Sequence, residues 1–345
     1  MKKMLALLLA LVMVLSLAAC ASSQPAAAST ETAETTETTE PAAEESAEAP
    51  AESGKTYTVG VCQLVQHEAL DAATQGFVDA LKEELGDAVT VDVQNASGDS
   101  VNCGTIVNGF VSKGVDLIMA NATPALTAAV SATADIPILG TSITAYGVAL
   151  DIDDFNGTVG GNVSGTSDLA DLQAQAQMIL DWFPETKTVG LLFCSAEPNS
   201  RYQIDEVRKA LEAQGVTCEE FAFTDSNDVS SVTQKAADFS DVVYIPTDNT
   251  AASNTEAIAN VLIPAGVPAI CGEEGLCRGC GVATLSISYY DLGVTTGKMA
   301  AKILKGEANI SEMPVEYTDA TPKYNASVCE QLGITPLDGY EAIDG

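Results

Sequence analysis

From residue 56 onward, short apolar runs alternate with longer stretches in which apolar residues recur at helical spacing. The runs at 56–64, 89–93, 115–120 and 136–141 predict strands, and the last two are typical of strands buried on both faces of a parallel sheet. The stretch at 69–85 predicts a helix. This alternation predicts an α/β fold whose parallel sheets are covered by helices on both sides.

The same order of elements occurs a second time further along the chain. The matching segments are residues 59–61 and 189–191, 115–118 and 241–244, and 136–140 and 267–272. Their offset stays near about 130 positions, which chance alternation of strands and helices would seldom maintain. The repeat therefore predicts two lobes built from a duplicated α/β unit. The segment Gly165-Thr166-Ser167-Asp168 lies between the copies, and we interpret it as the first crossing between the lobes and part of a cleft floor.

The boundaries of the lobes are predicted from this repeat and from the elements that follow it. A strand at 282–287 comes next, followed by a helix that Gly306 ends, a strand at 315–318 and a helix at 324–332. About 290 residues are available after the first 54, which is enough for two domains with separate cores. The predicted N-terminal lobe comprises residues 55–164 and 290–309, and the predicted C-terminal lobe comprises 165–289 and 310–345.

The first 20 residues have the features of an export signal. Lys2 and Lys3 precede an apolar run at 5–15 that is too short for a comfortable membrane span, and small residues lie directly before Cys20. The segment Leu17-Ala18-Ala19-Cys20 resembles the lipobox of bacterial lipoproteins, in which the cysteine is acylated and becomes the mature N-terminus. The resemblance implies a lipid anchor at Cys20 on the extracytoplasmic face of the cell membrane. The alternative is an ordinary secreted protein.

Residues 21–54 consist almost wholly of Ala, Ser, Thr, Glu, Pro and Gln, without an aromatic residue. This composition cannot bury enough apolar surface to offset the loss of chain entropy, so we expect a disordered acidic tether. The formal net charge of the whole chain is −33, which argues against nucleic acid and anionic membrane surfaces as partners.

Open parallel sheets bind ligands beyond the carboxyl ends of their strands. The corresponding loops are residues 63–68, 121–124, 141–144, 195–200, 247–250 and 272–275. The candidate ligand-binding residues in these loops and in the predicted crossing are Gln66, His67, Thr123, Thr166, Ser167, Asp168, Asn199, Ser200, Asp248, Asn249 and Glu273.

Two of these segments, at 165–168 and 197–200, each precede a predicted helix. Hydroxyl groups and free backbone N–H groups at a helix N-terminus form a natural carboxylate site, although the same residues could serve only as helix caps. Asp248 follows an apolar run and is expected either to pair with a ligand ammonium or to cap a helix at 251–262.

The histidine and the cysteines are also considered as metal ligands or catalytic groups. His67 is the only histidine, which disfavours a His-rich zinc site and a serine hydrolase. Cys277 and Cys280 have the spacing of a redox pair in a predicted Gly-rich loop, and with Cys271 they would be one ligand short of an all-cysteine zinc site. These cysteines are interpreted either as a disulfide or metal site or as free thiols. We expect no metal and no cofactor.

Five motifs in order resemble the substrate-binding lipoproteins of an ABC importer family whose characterised members bind aromatic amino acids such as tryptophan. The motifs are Gln63-Leu64-Val65-Gln66-His67 with Leu70-Asp71-Ala72-Ala73, Gly165-Thr166-Ser167-Asp168, Glu197-Pro198-Asn199-Ser200, Thr247-Asp248-Asn249-Thr250, and Tyr289-Tyr290-Asp291-Leu292-Gly293. The resemblance spans residues 57–336, and it departs from the family at Gln66, where relatives often have an acidic residue.

The resemblance implies the type I periplasmic-binding-protein fold, in which two Rossmann-like lobes with parallel sheets are joined by a three-crossing hinge and close on a small molecule. It implies a monomeric, non-enzymatic receptor for an amino acid, with a separate ABC permease and ATPase as partners. The alternatives are a sugar or nucleoside receptor of the same fold, and a thiol or metal enzyme that uses Cys277 and Cys280.

Overall fold

A computed structural model describes residues 54–343. The strands are β1 Tyr57–Gln63, β2 Val89–Asn95, β3 Leu117–Asn121, β4 Ile138–Ile143, β5 Val163–Ser167, β6 Thr188–Cys194, β7 Thr217–Phe223, β8 Val242–Ile245, β9 Ala269–Cys271, β10 Ala283–Ser286, β11 Glu316–Tyr317, β12 Thr321–Tyr324 and β13 Glu341–Ala342. The helices are α1 Glu68–Leu85, α2 Ser100–Lys113, α3 Thr123–Ala132, α4 Tyr146–Ala149, α5 Leu172–Trp182, α6 Pro198–Glu212, α7 Val229–Phe239, α8 Asn249–Ala252, α9 Thr255–Ala265, α10 Glu274–Cys280, α11 Tyr289–Lys305 and α12 Ala326–Leu332. None of these helices is long and apolar enough to cross a membrane.

The strands form two sheets with a common internal order. The first sheet runs β11-β5-β4-β3-β1-β2 and the second runs β13-β12-β10-β9-β8-β6-β7. Every pairing is parallel except that between β10 and β12. The five-strand orders β5-β4-β3-β1-β2 and β10-β9-β8-β6-β7 correspond strand by strand, so the predicted α/β fold with two lobes is confirmed.

The equivalent strands β1 and β6 show why the repeated Val-Gly pattern occurs. A Cβ atom at Gly60 would lie 2.6 Å from the ring of Phe110 on α2, and a Cβ atom at Gly190 would overlap the hydroxyl of Ser240. The neighbouring Val59, Val61, Val189 and Leu191 are fully buried. In each lobe, glycine in the first strand therefore lets another part of the fold approach the sheet closely while its neighbours fill the core.

The chain passes from one sheet to the other three times within the described residues, after β5, after β10 and after β11. The first crossing lies slightly later than predicted, because residues 165–167 belong to β5 and pair with the first sheet. β11 also joins the first sheet, with Glu316 opposite Thr166, although residues 310–345 were assigned to the C-terminal lobe. These boundaries depend on backbone pairing between segments about 150 residues apart. The local pattern of apolar residues does not indicate which distant strands pair.

Three other local predictions require correction. The helix expected at 251–262 is two helices, α8 and α9, and the segment around Cys277 is helix α10 of the second lobe rather than a loop beyond it. The antiparallel strand β12 was not predicted. The predicted export signal, Cys20 and all but the last residue of the tether lie outside the described residues.

Candidate ligand-binding cleft

The carboxyl ends of the two sheets contribute loops to one enclosed polar cavity between the lobes. Its lining residues are His67, Leu70, Ser142, Thr144, Asp168, Asn199, Thr247, Asp248, Asn249, Ala252, Glu273 and Tyr289. The cavity volume is about 10 Å³, which is about the space that one water molecule requires. A second compartment of about 350 Å³ shares Asn249 with it and is also lined from both lobes, by Leu64 and Pro124 on one side and Glu197 and Thr250 on the other.

Direct contacts between the lobes hold this arrangement together. The Nε2 atom of His67, before α1, lies 3.3 Å from Oδ1 of Asn249 on α8. Next to it, Nε of Arg278 on α10 donates to Glu68 at 3.1 Å. Burial lowers the pKa of His67, which keeps its ring neutral near pH 7. Both contacts join residues of the first lobe to residues of the second, as in a closed cleft.

Four carboxyl groups are buried in or beside the cavity. Three of them accept hydrogen bonds from N–H groups in the first turn of a helix. Both oxygens of Asp248 accept backbone N–H groups, from Ala251 at 2.8 Å and from Cys194 at 2.6 Å. Both oxygens of Glu273 accept N–H groups at the start of α10. Glu197 accepts from the backbone N–H groups of Asn249 and Thr250 and from both of their side chains. These three carboxyl groups therefore cap helices.

Asp168 differs from them. Its Oδ2 accepts the hydroxyl of Tyr289 at 2.9 Å, whereas its buried Oδ1 has no hydrogen-bond partner in the described structure. Two further side chains that line the same cavity also keep a buried polar atom without a partner, namely Oγ of Ser142 and Oδ1 of Asn199. Since buried polar atoms are rarely left unsatisfied, three of them around one cavity mark a place that binds something polar.

The carboxyl groups that line the cavity have raised pKa values. Burial raises the pKa of Asp168 to about 6 and that of Glu273 to about 7. Burial and the nearby Glu197 raise the pKa of Asp248 to about 8. No lysine or arginine of the described part of the chain lines the cavity. The cleft therefore favours a ligand group that is positively charged.

The cavity includes six of the candidate residues: His67, Asp168, Asn199, Asp248, Asn249 and Glu273. It does not include Gln66, Thr123, Thr166, Ser167 or Ser200. The hydroxyl of Thr166 lies 3.1 Å from that of Thr141 and 2.8 Å from that of Thr296, inside the first lobe. The hydroxyl of Ser167 donates to the carbonyl of Thr144 at 3.0 Å.

The helix expected directly after residues 165–168 begins later, so this segment does not form the helix N-terminus on which the predicted carboxylate site depended. Helix α5 starts at Leu172 and is capped by Asp171, whose side chain accepts from the N–H groups of Gln173 and Ala174. The segment at 197–200 does begin α6, as predicted. Asn199 and Ser200 are buried at its first turn, but of the two only Asn199 lines the cavity.

Several lining residues were not singled out from the sequence. Ser142 and Thr144 lie in the predicted strand-end loop 141–144, and Thr247 lies in the predicted loop 247–250. Their position at strand ends could have identified them as cavity residues. Ser142 has a positive φ of 55°, a conformation that is uncommon outside glycine and concentrates at functional sites. Tyr289 reaches the cavity from the start of α11, more than 120 residues from its partner Asp168 in sequence.

The eight cysteines in residues 54–343 are free thiols. Cys271, Cys277 and Cys280 are buried, and burial raises the pKa values of the Cys271 and Cys277 thiols. No group of His, Cys, Asp and Glu within the described residues has an arrangement that could hold a metal ion. Buried thiols with raised pKa values are poor nucleophiles, which disfavours thiol chemistry at this place.

Comparison with known proteins identifies the family. Residues 58–339 match the model of the family described as ABC transporter substrate binding protein. The chain is 32% identical over 276 residues to the tyrosine-binding protein of Clostridioides difficile strain R20291, which covers 78% of this chain and 79% of that protein. This family consists of solute-binding proteins, so the prediction that the protein is not an enzyme is confirmed.

Two solved structures bear on the conformation of the cleft. The ABC domain from Streptococcus pneumonia in complex with L-Trp has 32% identity and a TM-score of 0.79, and the match covers 84% of this chain and all of that one. The ligand-free, open form of a substrate-binding protein with adhesive properties from Clostridium difficile has 33% identity and a TM-score of 0.64, covering 84% of this chain and 99% of that one. At similar identity the chain is closer to the liganded structure, in agreement with the contacts across its cleft. The chain belongs to the family of ABC transporter substrate-binding proteins.

Proposed function

We propose that this protein is an extracytoplasmic receptor that captures an amino acid with an aromatic or hydrophobic side chain and delivers it to an ABC importer. The observation that carries the proposal is the cavity between the lobes, whose walls come from both sheets and retain three unsatisfied buried polar atoms. A ligand that contacts both walls binds the closed form more tightly than the open form and so drives closure.

The chemistry of the cavity supports an amino acid. A cavity with several buried carboxyl groups and no lining cation suits a ligand that brings its own positive charge. Leu70 and Ala252 provide apolar surface in the same cavity. Relatives with about one third sequence identity are a tyrosine-binding protein and a domain solved with L-Trp. An aromatic or hydrophobic side chain on the ligand is the inference from these relatives.

The sugar or nucleoside alternative finds less support. Receptors for such ligands commonly stack rings on exposed aromatic faces. Tyr289 is the aromatic residue that lines this cavity, and its hydroxyl is committed to Asp168. Distant solute-binding proteins with sugar ligands share the fold at 12–14% identity, which bears on the fold alone.

A ligand screen by thermal unfolding tests the proposal. The purified protein would be melted with each of the twenty amino acids, and with hexoses, pentoses and nucleosides as controls. A ligand at about 100 times its Kd stabilises the folded state by about 2.7 kcal/mol. We expect L-tyrosine or L-tryptophan to raise the Tm and the sugars and nucleosides to leave it unchanged. A shift with a sugar and none with any amino acid would contradict the proposal.

The proposal includes anchoring through Cys20, which follows Leu17-Ala18-Ala19 in the sequence. A lipid-modified cysteine would hold the receptor beside the separate permease and ATPase that transport requires. Cys20→Ala should release the protein into the medium or leave it unprocessed, as followed by fractionation and intact mass. Cys62→Ala, which changes a buried core cysteine, is the matched control and should leave fractionation unchanged. A Cys20→Ala protein of mature length in the membrane fraction would contradict the anchor.

A further inference from the structure

Three buried atoms around the cavity have no hydrogen-bond partner within residues 54–343, and they come from different parts of the fold. Ser142 lies at the end of β4, Asp168 follows β5, and Asn199 lies in the first turn of α6. The three residues are 5–6% exposed, and their unpaired atoms are Ser142 Oγ, Asp168 Oδ1 and Asn199 Oδ1. Two of them belong to the first lobe and the third to the second lobe. A group that satisfies all three therefore bridges the cleft.

Their surroundings fix what kind of partner they need. The Nδ2 group of Asn199 lies 3.2 Å from Oε2 of Glu197 and 3.2 Å from the carbonyl of Thr247, and both of those oxygens accept hydrogen bonds. The amide must therefore direct its NH₂ group toward them, which leaves Oδ1 facing the cavity. Asp168 Oδ1 is an acceptor when the carboxyl group is ionised, and Ser142 Oγ can accept. All three atoms without a partner can therefore accept a hydrogen bond.

A primary ammonium group carries three N–H donors and no acceptor, so it suits three acceptors around one cavity, one of them a carboxyl group. Thr144 and Thr247 also bring hydroxyl groups to the lining, but a ligand carboxylate beside Asp168 would be repelled by its charge when that group is ionised. Asp248, which the sequence offered either as the ammonium partner or as a helix cap, has both oxygens occupied by backbone N–H groups. The strained backbone of Ser142 is consistent with a residue held in place for such a contact.

We propose that Ser142, Asp168 and Asn199 form a binding site for the primary ammonium group of the ligand, with Asp168 rather than Asp248 as its charged partner. This inference rests on the proposed function and adds a restriction to it: the receptor accepts ligands with an unsubstituted amino group and rejects N-acylated and deaminated analogues. The same three contacts couple recognition of the amino group to closure, because Asn199 reaches the ammonium only when the lobes are together.

Calorimetric titration with matched pairs of probes tests the site on the wild-type protein. The probes are L-tyrosine and L-tryptophan, their N-acetyl derivatives, the deaminated 3-arylpropionates, and tyramine and tryptamine, which keep the amine and lack the carboxylate. Removal of one partner of a buried charged pair typically weakens binding by about 30-fold or more. We expect the N-acetyl and deaminated analogues to bind at least about 30-fold more weakly than the parent amino acid. Equal affinity for the parent and the deaminated analogue would overturn the ammonium site.

Substitutions test which residues bind the ammonium group. Asp168→Asn should weaken L-tyrosine or L-tryptophan binding by about 30-fold or more while changing the affinity for the deaminated analogue less than about threefold. Asp171→Asn, which alters an exposed acid that caps α5 outside the cavity, is the matched control and should bind like wild type. Ser142→Ala should show a smaller loss, of about five- to tenfold. An Asp168→Asn protein with wild-type affinity for the amino acid would show that another group holds the ammonium.

The amines separate failure of this site from failure of the proposed function. If no amino acid binds but tyramine or tryptamine raises the Tm of wild type and not of Asp168→Asn, the ammonium site stands and the amino acid assignment is wrong. If the wild-type protein binds neither amino acids nor amines, both are overturned. The comparison of analogues on wild type needs no variant, so it decides the question even if Asp168→Asn does not fold.

Discussion

At the scale of single residues, hydrogen bonding distinguishes carboxyl groups that look equivalent in the sequence. Asp168 and Asp248 both lie just beyond the carboxyl end of a buried strand, β5 or β8, and both line the cavity. Asp248 uses its two oxygens to cap α8 and to bind the N–H group of Cys194 at the end of β6, so it connects two elements of the second lobe. Asp168 has one oxygen without a hydrogen-bond partner among residues 54–343. The first is therefore a structural residue, and the second is the candidate for ligand binding.

The raised pKa of Asp168 predicts that ligand affinity depends on pH. Its pKa of about 6 means that the carboxyl group is mostly ionised at pH 7 and mostly protonated at pH 5. A protonated group no longer pairs with an ammonium, so the Kd for L-tyrosine or L-tryptophan should rise by about tenfold between pH 7 and pH 5. Titration calorimetry across this range checks the prediction. Asp168→Asn should remove most of the dependence, and an unchanged profile in that variant would assign it to His67, Glu273 or Asp248, which face the same cavity.

The stability of the ligand-free protein should change with pH in the opposite direction. The folded pKa values of Asp168, Glu273 and Asp248, about 6, 7 and 8, lie above those of the unfolded chain. The folded state then holds more protons, so the stability that these groups contribute is present at low pH and is lost as pH rises through 6 to 8. The lowered pKa of His67 has the opposite effect on stability, but it is a single group and the three carboxyl groups outweigh it. We expect a higher Tm at pH 5.5 than at pH 8, and the reverse order would contradict it.

Thr166 illustrates a residue whose role is internal. Its hydroxyl lies within hydrogen-bond distance of those of Thr141 on β4 and Thr296 on α11, and all three side chains are buried. Thr166→Val should lower the free energy of unfolding by about 1–3 kcal/mol, because it leaves buried hydroxyl groups without a partner. Urea denaturation measures this cost. Affinity for the amino acid should stay within about twofold of wild type, and a loss of affinity without a loss of stability would return Thr166 to the binding site.

At the scale of elements, helices α1 and α11 form a close crossing on the first sheet. A Cβ atom at Gly76 would overlap the carbonyl oxygen of Tyr290, and one at Gly293 would overlap the carbonyl oxygen of Ala73. Glycine at these positions lets the two backbones meet directly. The crossing matters for the cleft because α1 begins beside His67 and α11 begins at Tyr289, and both of these residues line the cavity.

Gly76→Ala therefore tests the crossing. The added methyl group has no room and should lower the free energy of unfolding by about 1–3 kcal/mol through overpacking. Gly109→Ala on α2 is the matched control, since a Cβ atom there meets nothing within 4 Å. That variant should gain about 0.5–1 kcal/mol from helix propensity. Differential scanning calorimetry distinguishes the two, and equal effects at both positions would show that the crossing is not closely packed.

At the scale of the whole molecule, the ion pair between Arg278 and Glu68 is a direct polar contact across the cleft. The Arg278 guanidinium in the second lobe also pairs with Glu274, which in turn pairs with Lys323, and this arrangement directs Arg278 toward Glu68 of the first lobe. The side chains of Glu68 and Arg278 are 53% and 34% exposed, so the pair contributes modestly to stability. Because the pair joins the two lobes, we expect opening of the cleft to break it, so that its contribution appears in ligand binding.

Glu68→Gln should raise the Kd of the amino acid by about two- to fivefold, because loss of an exposed ion pair shifts the equilibrium toward the open form by less than about 1 kcal/mol. The increase should appear mainly in the dissociation rate and should diminish at high salt. Stopped-flow kinetics at low and high ionic strength measure both. Glu83→Gln, an exposed acid on the same helix, is the control. Unchanged dissociation in Glu68→Gln would mean that the pair does not contribute to closure.

What the sequence determined follows from local rules. The period of its apolar positions specifies strands and helices, and the offset of the repeat specifies two similar lobes, because buried faces and strand-end loops recur wherever the same unit is built. The strand ends also located His67, Asn199 and Asp248 at the cleft, and the motifs identified the family. These features depend on residues close together in the chain.

Only the tertiary structure decided which polar group is free to bind. Asp168 meets Tyr289 across 121 positions, Asp248 meets Cys194 across 54, and Glu197 meets Asn249 across 52. The role of each carboxyl group depends on whether such distant partners satisfy its oxygens, and a single sequence contains no local pattern for that. The pairing of β11 with β5 and of β12 with β10 was undetermined for the same reason, since strand partners are chosen in space.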